Sequence, residues 1–468
     1  MSSESRPPTS SSPAAPAQPA GDATRSSADP DERANPSAPA DDAADAADEL
    51  DDEHARPLLN KSGERSLGSQ RSLRRERRAA RRKRIAELFR RFIRAEATGG
   101  VVLLTSTILA LALAHSPLAA QMAAVWRAHL GLSTAGYSFG LSVAEWVNDG
   151  LMALFFLLVG MEIKRELIHG ELDSPKKAAL PVIAAGFGML APALIYLLVS
   201  AGGGPLIRRG WAIPTATDIA FTVGVMALLG RRVPMGLKIF VTALAIADDL
   251  GAVLVIALFY SAQLNWTLIA LSVALTAALV ACNRFGVRRR RIYLLLGGLL
   301  WATMLHSGIH ATIAGVVLGL CTPQTTAERL SRALQYPVAL FVLPLFALCN
   351  AGITLPLDAA ALSGALHQPV SRGVFFGLLL GKPLGIFSAA VLAVLFRIGQ
   401  LPSQASYRSL LGAAMLCGIG FTMSIFTGQL AFSDATLLGQ AKLGILAGSL
   451  CSAILGSLML RLTTSRPG

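Results

Sequence analysis

The sequence predicts an all-α polytopic membrane protein of about twelve transmembrane helices with inverted-topology repeats, two crossing broken helices and a short external β-hairpin. Its composition comes first: of 468 residues, 53% are hydrophobic and only 15% are charged, with a mean hydropathy of +0.53. Such a chain has lipid, not an aqueous core, as its main solvent. The second observation is a succession of apolar runs near 97–116, 145–164, 178–200, 212–230, 236–260, 264–282, 292–305, 309–321, 336–354, 373–397, 408–428 and 438–460. Several are shorter than the roughly 20 residues that a straight crossing needs. The third is the placement of basic residues. With the N-terminus in the cytoplasm, Lys164–Arg165, Lys176–Lys177, Arg231–Arg232, Arg288 to Arg291, Arg329 with Arg332, and Arg397 all fall on the cytoplasmic side. Only Arg127 and Arg208–Arg209 fall clearly outside, so an even number of crossings leaves both termini cytoplasmic.

Residues 1–70 form an acidic, Ser-, Pro- and Ala-rich tail that cannot bury enough apolar surface to offset the entropy of ordering. It lacks the apolar stretch of a secretory signal. Residues 71–94, RSLRRERRAARRKRIAELFRRFIR, are a basic juxtamembrane segment. With Leu88, Phe89, Phe92 and Ile93 interleaved directly before the first span, they read as a stretch lying on anionic lipid, an RNA-binding arm being the alternative. Residues 95–462 are the transmembrane domain. The net charge of +13 lies mostly in the first hundred residues or in short loops, so membrane lipid is the expected partner and nucleic acid is not. The five cysteines, scattered through apolar segments without a CxxC pair, read as small apolar side chains. Between the first two spans, HLGLSTAGYSFGLSV at 129–143 is too polar to cross, and its loose alternation suggests the hairpin, an irregular loop being the alternative.

Ionisable residues inside spans are costly, about 2.5–3.5 kcal/mol each on insertion scales, and each needs an account. The candidates are Asp149, Glu162 with Glu166, Asp218, Asp248 with Asp249, His306 with His310, and Lys382. Asp248 and Asp249 sit near the middle of VTALAIADDLGAVLVIALFY, 241–260. Helical neighbours point about 100° apart, so one carboxylate can face a cation while the other faces a lysine or a proton path. Two such groups in low dielectric resist double ionisation and titrate as a coupled pair. A bound cation reverses that preference and expels protons, which is the competition that cation/proton exchange requires. Water-exposed acids at a span end are the bland alternative, but Leu250 to Tyr260 continue the apolar run.

In WAIPTATDIAFTVGVMALLG, 211–230, Pro214 removes a backbone donor, Thr215 and Thr217 add side-chain oxygens, and Asp218 follows, so the span should break near its middle. Freed carbonyls and a Thr hydroxyl would suit a small hard cation. LLGAAMLCGIGFTMSIFTG, 410–428, aligns with it as Asp218-Ile-Ala-Phe-Thr222 over Gly418-Ile-Gly-Phe-Thr422. Such a weak repeat is left by inverted transporter halves whose broken helices cross at the site, chance likeness being the alternative. Lys382, deep in VFFGLLLGKPLGIFSAAVLAV and followed by Pro383, reads as a buried counter-charge for a diad aspartate or for helix-dipole ends. His306 and His310 lack a third ligand, so zinc is not expected. His310 would donate a hydrogen bond between helices or lie on a proton route, for which Asp149 is the other candidate.

The sequence resembles the NhaA family of sodium/proton antiporters over about 95–462. The matching stretches are NDGLMALFFLLVGMEIKREL (148–167), GWAIPTATDIAFTVG (210–224), LKIFVTALAIADDLGAV (237–253), HSGIHATIAGVVLG (306–319), LPLFALCNAGI (343–353), GKPLGI (381–386) and GIGFTMSIF (418–426). Inverted repeats with broken helices are a known trait of this family, so that expectation and the resemblance are not independent.

The resemblance implies a core domain and an interface domain, and an electrogenic Na⁺(Li⁺)/H⁺ antiporter of the bacterial inner membrane serving pH and sodium homeostasis. It implies neither an enzyme nor a cofactor, only the transported ions. It implies that Asp249, with Asp248, binds Na⁺ or Li⁺ and that Asp248 carries a proton and pairs with Lys382. Asp218 would balance helix dipoles and Thr217 would lie beside the ion. Glu162, Arg165 and Glu166 would form a pH-responsive cytoplasmic entrance, and the hairpin at 129–143 would make a homodimer. One departure is TTAERLSRALQYP at 325–337, where Ser331, Arg332 and Gln335 replace titratable residues associated with pH sensing in relatives. None of the three titrates between about pH 6 and 9.

Other classes fit less well. A sodium-coupled symporter would need a pocket for an organic solute, an intramembrane aspartyl protease a GxGD motif on a separate helix, and a prenyltransferase two DDxxD boxes.

Overall fold

The structure, a computed structural model, describes residues 98–134, 137–261, 264–354 and 358–463. The tail 1–70 and the basic segment 71–94 lie outside the described residues. Six helices are long and apolar enough to cross a membrane. They are α4 (Pro175–Val199), α6 (Met235–Phe259), α7 (Trp266–Arg284), α10 (Gln324–Asn350), α11 (Pro369–Leu395) and α14 (Ala435–Thr463).

Three bent pairs add to these. The first joins α1 (Thr98–Ala114) to α2 (Ala119–Arg127) at 113°, so that α2 turns away from the line of its span. The others are genuine breaks: a turn and 3₁₀ segment over Pro205–Thr215 meets α5 (Ile219–Leu228) at 40°, and α12 (Tyr407–Leu416) meets α13 (Phe421–Ala431) at 47°. Three further helices match expected spans but are too short or too charged to qualify by length and hydropathy: α3 (Met152–His169), α8 (Arg290–Leu305) and α9 (Ile313–Cys321). Every apolar run read from the sequence therefore has its helix among the described residues.

The expected hairpin is present. Strand β1 (His129–Thr134) pairs antiparallel with β2 (Tyr137–Ser142), His129 opposite Ser142 and Thr134 opposite Tyr137. It feeds α3 through a capping box, in which Ser142 Oγ accepts from Glu145 N at 3.2 Å and Glu145 Oε2 accepts from Ser142 N at 2.7 Å.

Small residues let the helices approach. A Cβ on Gly160 of α3 would stand 2.7 Å from the Val316 carbonyl of α9, and one on Gly319 of α9 would stand 2.8 Å from the Leu157 carbonyl of α3, so this crossing depends on glycine from both sides. Outward faces carry exposed apolar side chains such as Leu198, Leu254 and Leu295, as lipid contact requires.

Residues 324–337, which carry Ser331, Arg332 and Gln335, are the first half of α10, which continues through a wider π-type turn at Val338–Val342 to Asn350. That turn follows Pro337 directly, so the missing proline donor is absorbed without ending the helix.

Candidate functional site

The two breaks lie against each other and satisfy each other's stranded backbone groups. At the first, Asp218 is the N-cap of α5, its Oδ1 accepting from Phe221 N at 3.0 Å. Its Oδ2 accepts from Thr422 N at 3.0 Å and Thr422 Oγ1 at 2.5 Å, at the start of α13. One carboxylate thus serves the positive ends of two half-helices. In return, Thr217 Oγ1 donates to the Cys417 carbonyl at 3.0 Å and Thr222 Oγ1 to the Leu416 carbonyl at 3.1 Å, at the C-terminus of α12. Asp218 N donates to the Ile419 carbonyl at 2.7 Å, and Ser424 Oγ to the Ile213 carbonyl at 2.7 Å. Phe221 and Phe421, equivalent in the sequence repeat, meet edge to face with centroids 5.2 Å apart. Equivalent residues touch where a two-fold axis relates two repeats, which favours a repeat over chance likeness.

Lys382 and the aspartates lie beside this crossing. A π-type turn at Gly377–Gly381 delivers Lys382 into the interior. The lysine is fully buried, and its Nζ donates to the Thr215 carbonyl and pairs with Asp248 Oδ2 at 2.5 Å. Asp248 and Asp249 are buried midway along α6, with Thr217 beside Asp248. Asp248 Oδ1 and both carboxylate oxygens of Asp249 have no hydrogen-bond partner among the described residues. The charged groups surrounding Asp249 are Asp248, Asp218, Lys382 and Glu162. Buried carboxylate oxygens without donors are expensive unless a proton or a cation meets them.

Of the carbonyls at the first break, that of Thr215 accepts from Lys382 and that of Ile213 from Ser424, side chains from elsewhere in the bundle.

The remaining candidates divide. Glu162 is buried on α3 toward Asp249, while Glu166 pairs with Arg165 at 3.3 Å and accepts from Glu171 N at 3.1 Å. Asp149 does not join the aspartates. It sits in a π-type turn, Trp146–Leu151, where its backbone carbonyl accepts from Trp301 Nε1 at 2.9 Å. His310 likewise lies apart, its Nε2 at 2.9 Å from the Tyr260 carbonyl.

Two further devices carry no motif in the sequence. Lys164 donates to the Leu320 and Thr322 carbonyls at 2.9 and 2.6 Å, closing the C-terminus of α9. Asn350 donates to Asn148 Oδ1 at 2.7 Å and accepts from Gln429 Nε2, joining the start of the second span, α10 and α13 in one amide chain.

A family model described as Na⁺/H⁺ antiporter 1 matches residues 90–460. The chain belongs to that family. It is an integral membrane protein by its helices as well as by its relatives. The Na(+)/H(+) antiporter NhaA of Bordetella parapertussis is 49% identical over 390 residues, covering 81% of this chain and 97% of that one. Na(+)/H(+) antiporter NhaA 1 of Pseudomonas syringae pv. syringae is 48% identical, covering 81% and 96%. Na(+)/H(+) antiporter NhaA of Mesorhizobium japonicum is 47% identical, also covering 81% and 96%. Among solved structures, the sodium proton antiporter MjNhaP1 from Methanocaldococcus jannaschii overlays with a TM-score of 0.47 at 16% identity, over 78% of this chain and 92% of that one, a likeness too loose to argue from.

Proposed function

We propose that this family member is an electrogenic Na⁺(Li⁺)/H⁺ antiporter of the bacterial inner membrane, with both termini cytoplasmic, exporting sodium in exchange for protons. One observation carries the reading: two adjacent buried aspartates, one held by Lys382 and the other with both oxygens unpartnered, at the crossing of two broken helices. Protonated, Asp249 is neutral and tolerable in low dielectric. When Na⁺ or Li⁺ arrives, Asp249 releases its proton and ligates the cation, with Thr217 and the free Oδ1 of Asp248 in reach as further oxygens.

Charge counting then sets the stoichiometry. If only Asp249 loses a proton, one H⁺ exchanges for one Na⁺ and no net charge moves. If Asp248 also turns from Lys382 to the cation and the proton that they share departs, two H⁺ exchange for one Na⁺. That cycle moves one charge, worth about 2.3 kcal/mol per 100 mV, so the membrane potential drives sodium out. We assign the second course, because an Asp248 that accompanies the cation leaves Lys382 without its counter-charge.

Asp218 neutralises the converging helix N-termini, and Glu162, Arg165 and Glu166 line the cytoplasmic entrance. The paired strands at 129–143 offer open edges to the same strands of a second copy, which supports a homodimer. The test is dequenching of a ΔpH probe in everted vesicles. Na⁺ and Li⁺ should each collapse the gradient with no organic solute present, and a response that requires a solute would replace antiport by symport.

A further inference from the structure

Away from the aspartates, a cavity of about 580 Å³ opens between the end of α1, the helix α2, the end of α10 and the first turns of α14. Leu113, Met122 and Trp126 give it an apolar wall, and Cys349, Thr354, Gln440 and Lys442 bring polar side chains to it. Lys442 is a cation inside a membrane-spanning helix. Among the described residues the ionisable side chain beside it is the Cys349 thiol, and no carboxylate pairs with it. Gln440 Oε1, in the same cavity, is buried without a hydrogen-bond partner among those residues. A positive charge and an acceptor oxygen thus meet at an apolar chamber, and among the described residues neither has a hydrogen-bonding or carboxylate partner.

Geometry names the missing partner. Lys442 lies seven residues into α14, about 10 Å from its start at 1.5 Å per residue, so its flexible stem can carry the ammonium toward the nearby membrane interface. The chamber runs beside α2, which bends away from its span by 113°. We propose that this cavity is a binding site for an anionic, hydroxyl-bearing phospholipid, its phosphate against Lys442, a headgroup hydroxyl donating to Gln440 Oε1, and an acyl chain along Leu113, Met122 and Trp126. Charge complementarity selects the anion, the unpartnered amide oxygen selects a hydroxyl donor, and the apolar wall selects a lipid over a free phosphate ester. The inference stands on the cavity and is independent of the antiport reading.

The test is the thermal midpoint of the purified full-length protein in a non-ionic detergent, titrated with phosphatidylglycerol, with phosphatidylcholine of the same chains, or with glycerol phosphate. A ligand that binds the folded state alone raises the midpoint, here by at least about 2 °C for phosphatidylglycerol. Phosphatidylcholine and glycerol phosphate should not reproduce that rise. Lys442→Met should lose most of it and Lys442→Arg retain it. Should Lys442→Met fold poorly, Met122→Trp, which fills the chamber and keeps the charge, should lose it equally. An equal rise in wild type and both disrupting variants, or a rise with phosphatidylcholine, would overturn the proposal. Glycerol phosphate matching the lipid would show a site for a free anion and would overturn the lipid assignment.

Discussion

Asp218 and Thr422, 204 positions apart in the chain, are joined by two hydrogen bonds, from Thr422 N at 3.0 Å and Thr422 Oγ1 at 2.5 Å, both to Asp218 Oδ2. The same carboxylate caps α5, so it fastens the two half-helices at their positive ends. Asp218→Leu should therefore lower stability by about 2 kcal/mol or more, combining loss of a cap with exposure of two further donors. A thermal midpoint equal to that of wild type would show that the breaks are held by other contacts.

Asp249→Asn should abolish exchange, because an amide has no proton to release to a cation. Asp248→Asn should do nearly the same. Near-normal Na⁺/H⁺ exchange by either variant in everted vesicles, at wild-type abundance, would remove that residue from the site.

Lys382→Ala strips Asp248 of its counter-charge at a fully buried position. A carboxylate without its cation holds its proton more firmly, so the activity profile should move toward alkaline pH. Stability should fall by about 3 kcal/mol, as when one partner of a buried pair is removed. An unchanged profile together with an unchanged midpoint would make the lysine a bystander.

Much of this site was legible because ionisable residues in apolar runs are few, and each carries its cost openly. Asp248, Asp249, Asp218 and Lys382 were found that way, and the structure gathers them. The repeat around Asp218 and Gly418 was visible only as five aligned residues, yet it contains the Phe221–Phe421 contact and the Thr422 that holds Asp218. Thr422 and Ser424 drew no attention as functional residues, because a hydroxyl in an apolar helix commonly bonds its own backbone. Lys164 was hidden for a different reason. Its carbonyl partners lie 156 and 158 residues away, and a lysine near a span end reads as an orientation signal. The Asn148–Asn350–Gln429 chain was invisible because three lone amides in three spans carry no common pattern until the helices pack.

Deleting residues 2–70 should leave exchange intact in reconstituted vesicles, since an acidic, Pro- and Ser-rich segment has no means of lining a transmembrane site. Loss of turnover with normal membrane insertion would instead make the tail a regulator.

Cation and protons compete for one pair of carboxylates in this mechanism, and the pH dependence of Na⁺ affinity reads that competition. Ser331, Arg332 and Gln335 lie on the first half of α10 and none is a carboxyl, imidazole or thiol, so a sensor built on those three positions would leave this protein without a steep response. Competition keeps the response, because lowering pH protonates the groups that must be bare to hold Na⁺. The measurement is apparent Na⁺ affinity and maximal rate in everted vesicles from about pH 6.5 to about pH 9. Affinity should rise with pH, by about tenfold per unit at the acid end if one proton is displaced and more steeply if two are, while the rate at saturating Na⁺ changes little. A flat affinity with a maximal rate that collapses at low pH would contradict the account.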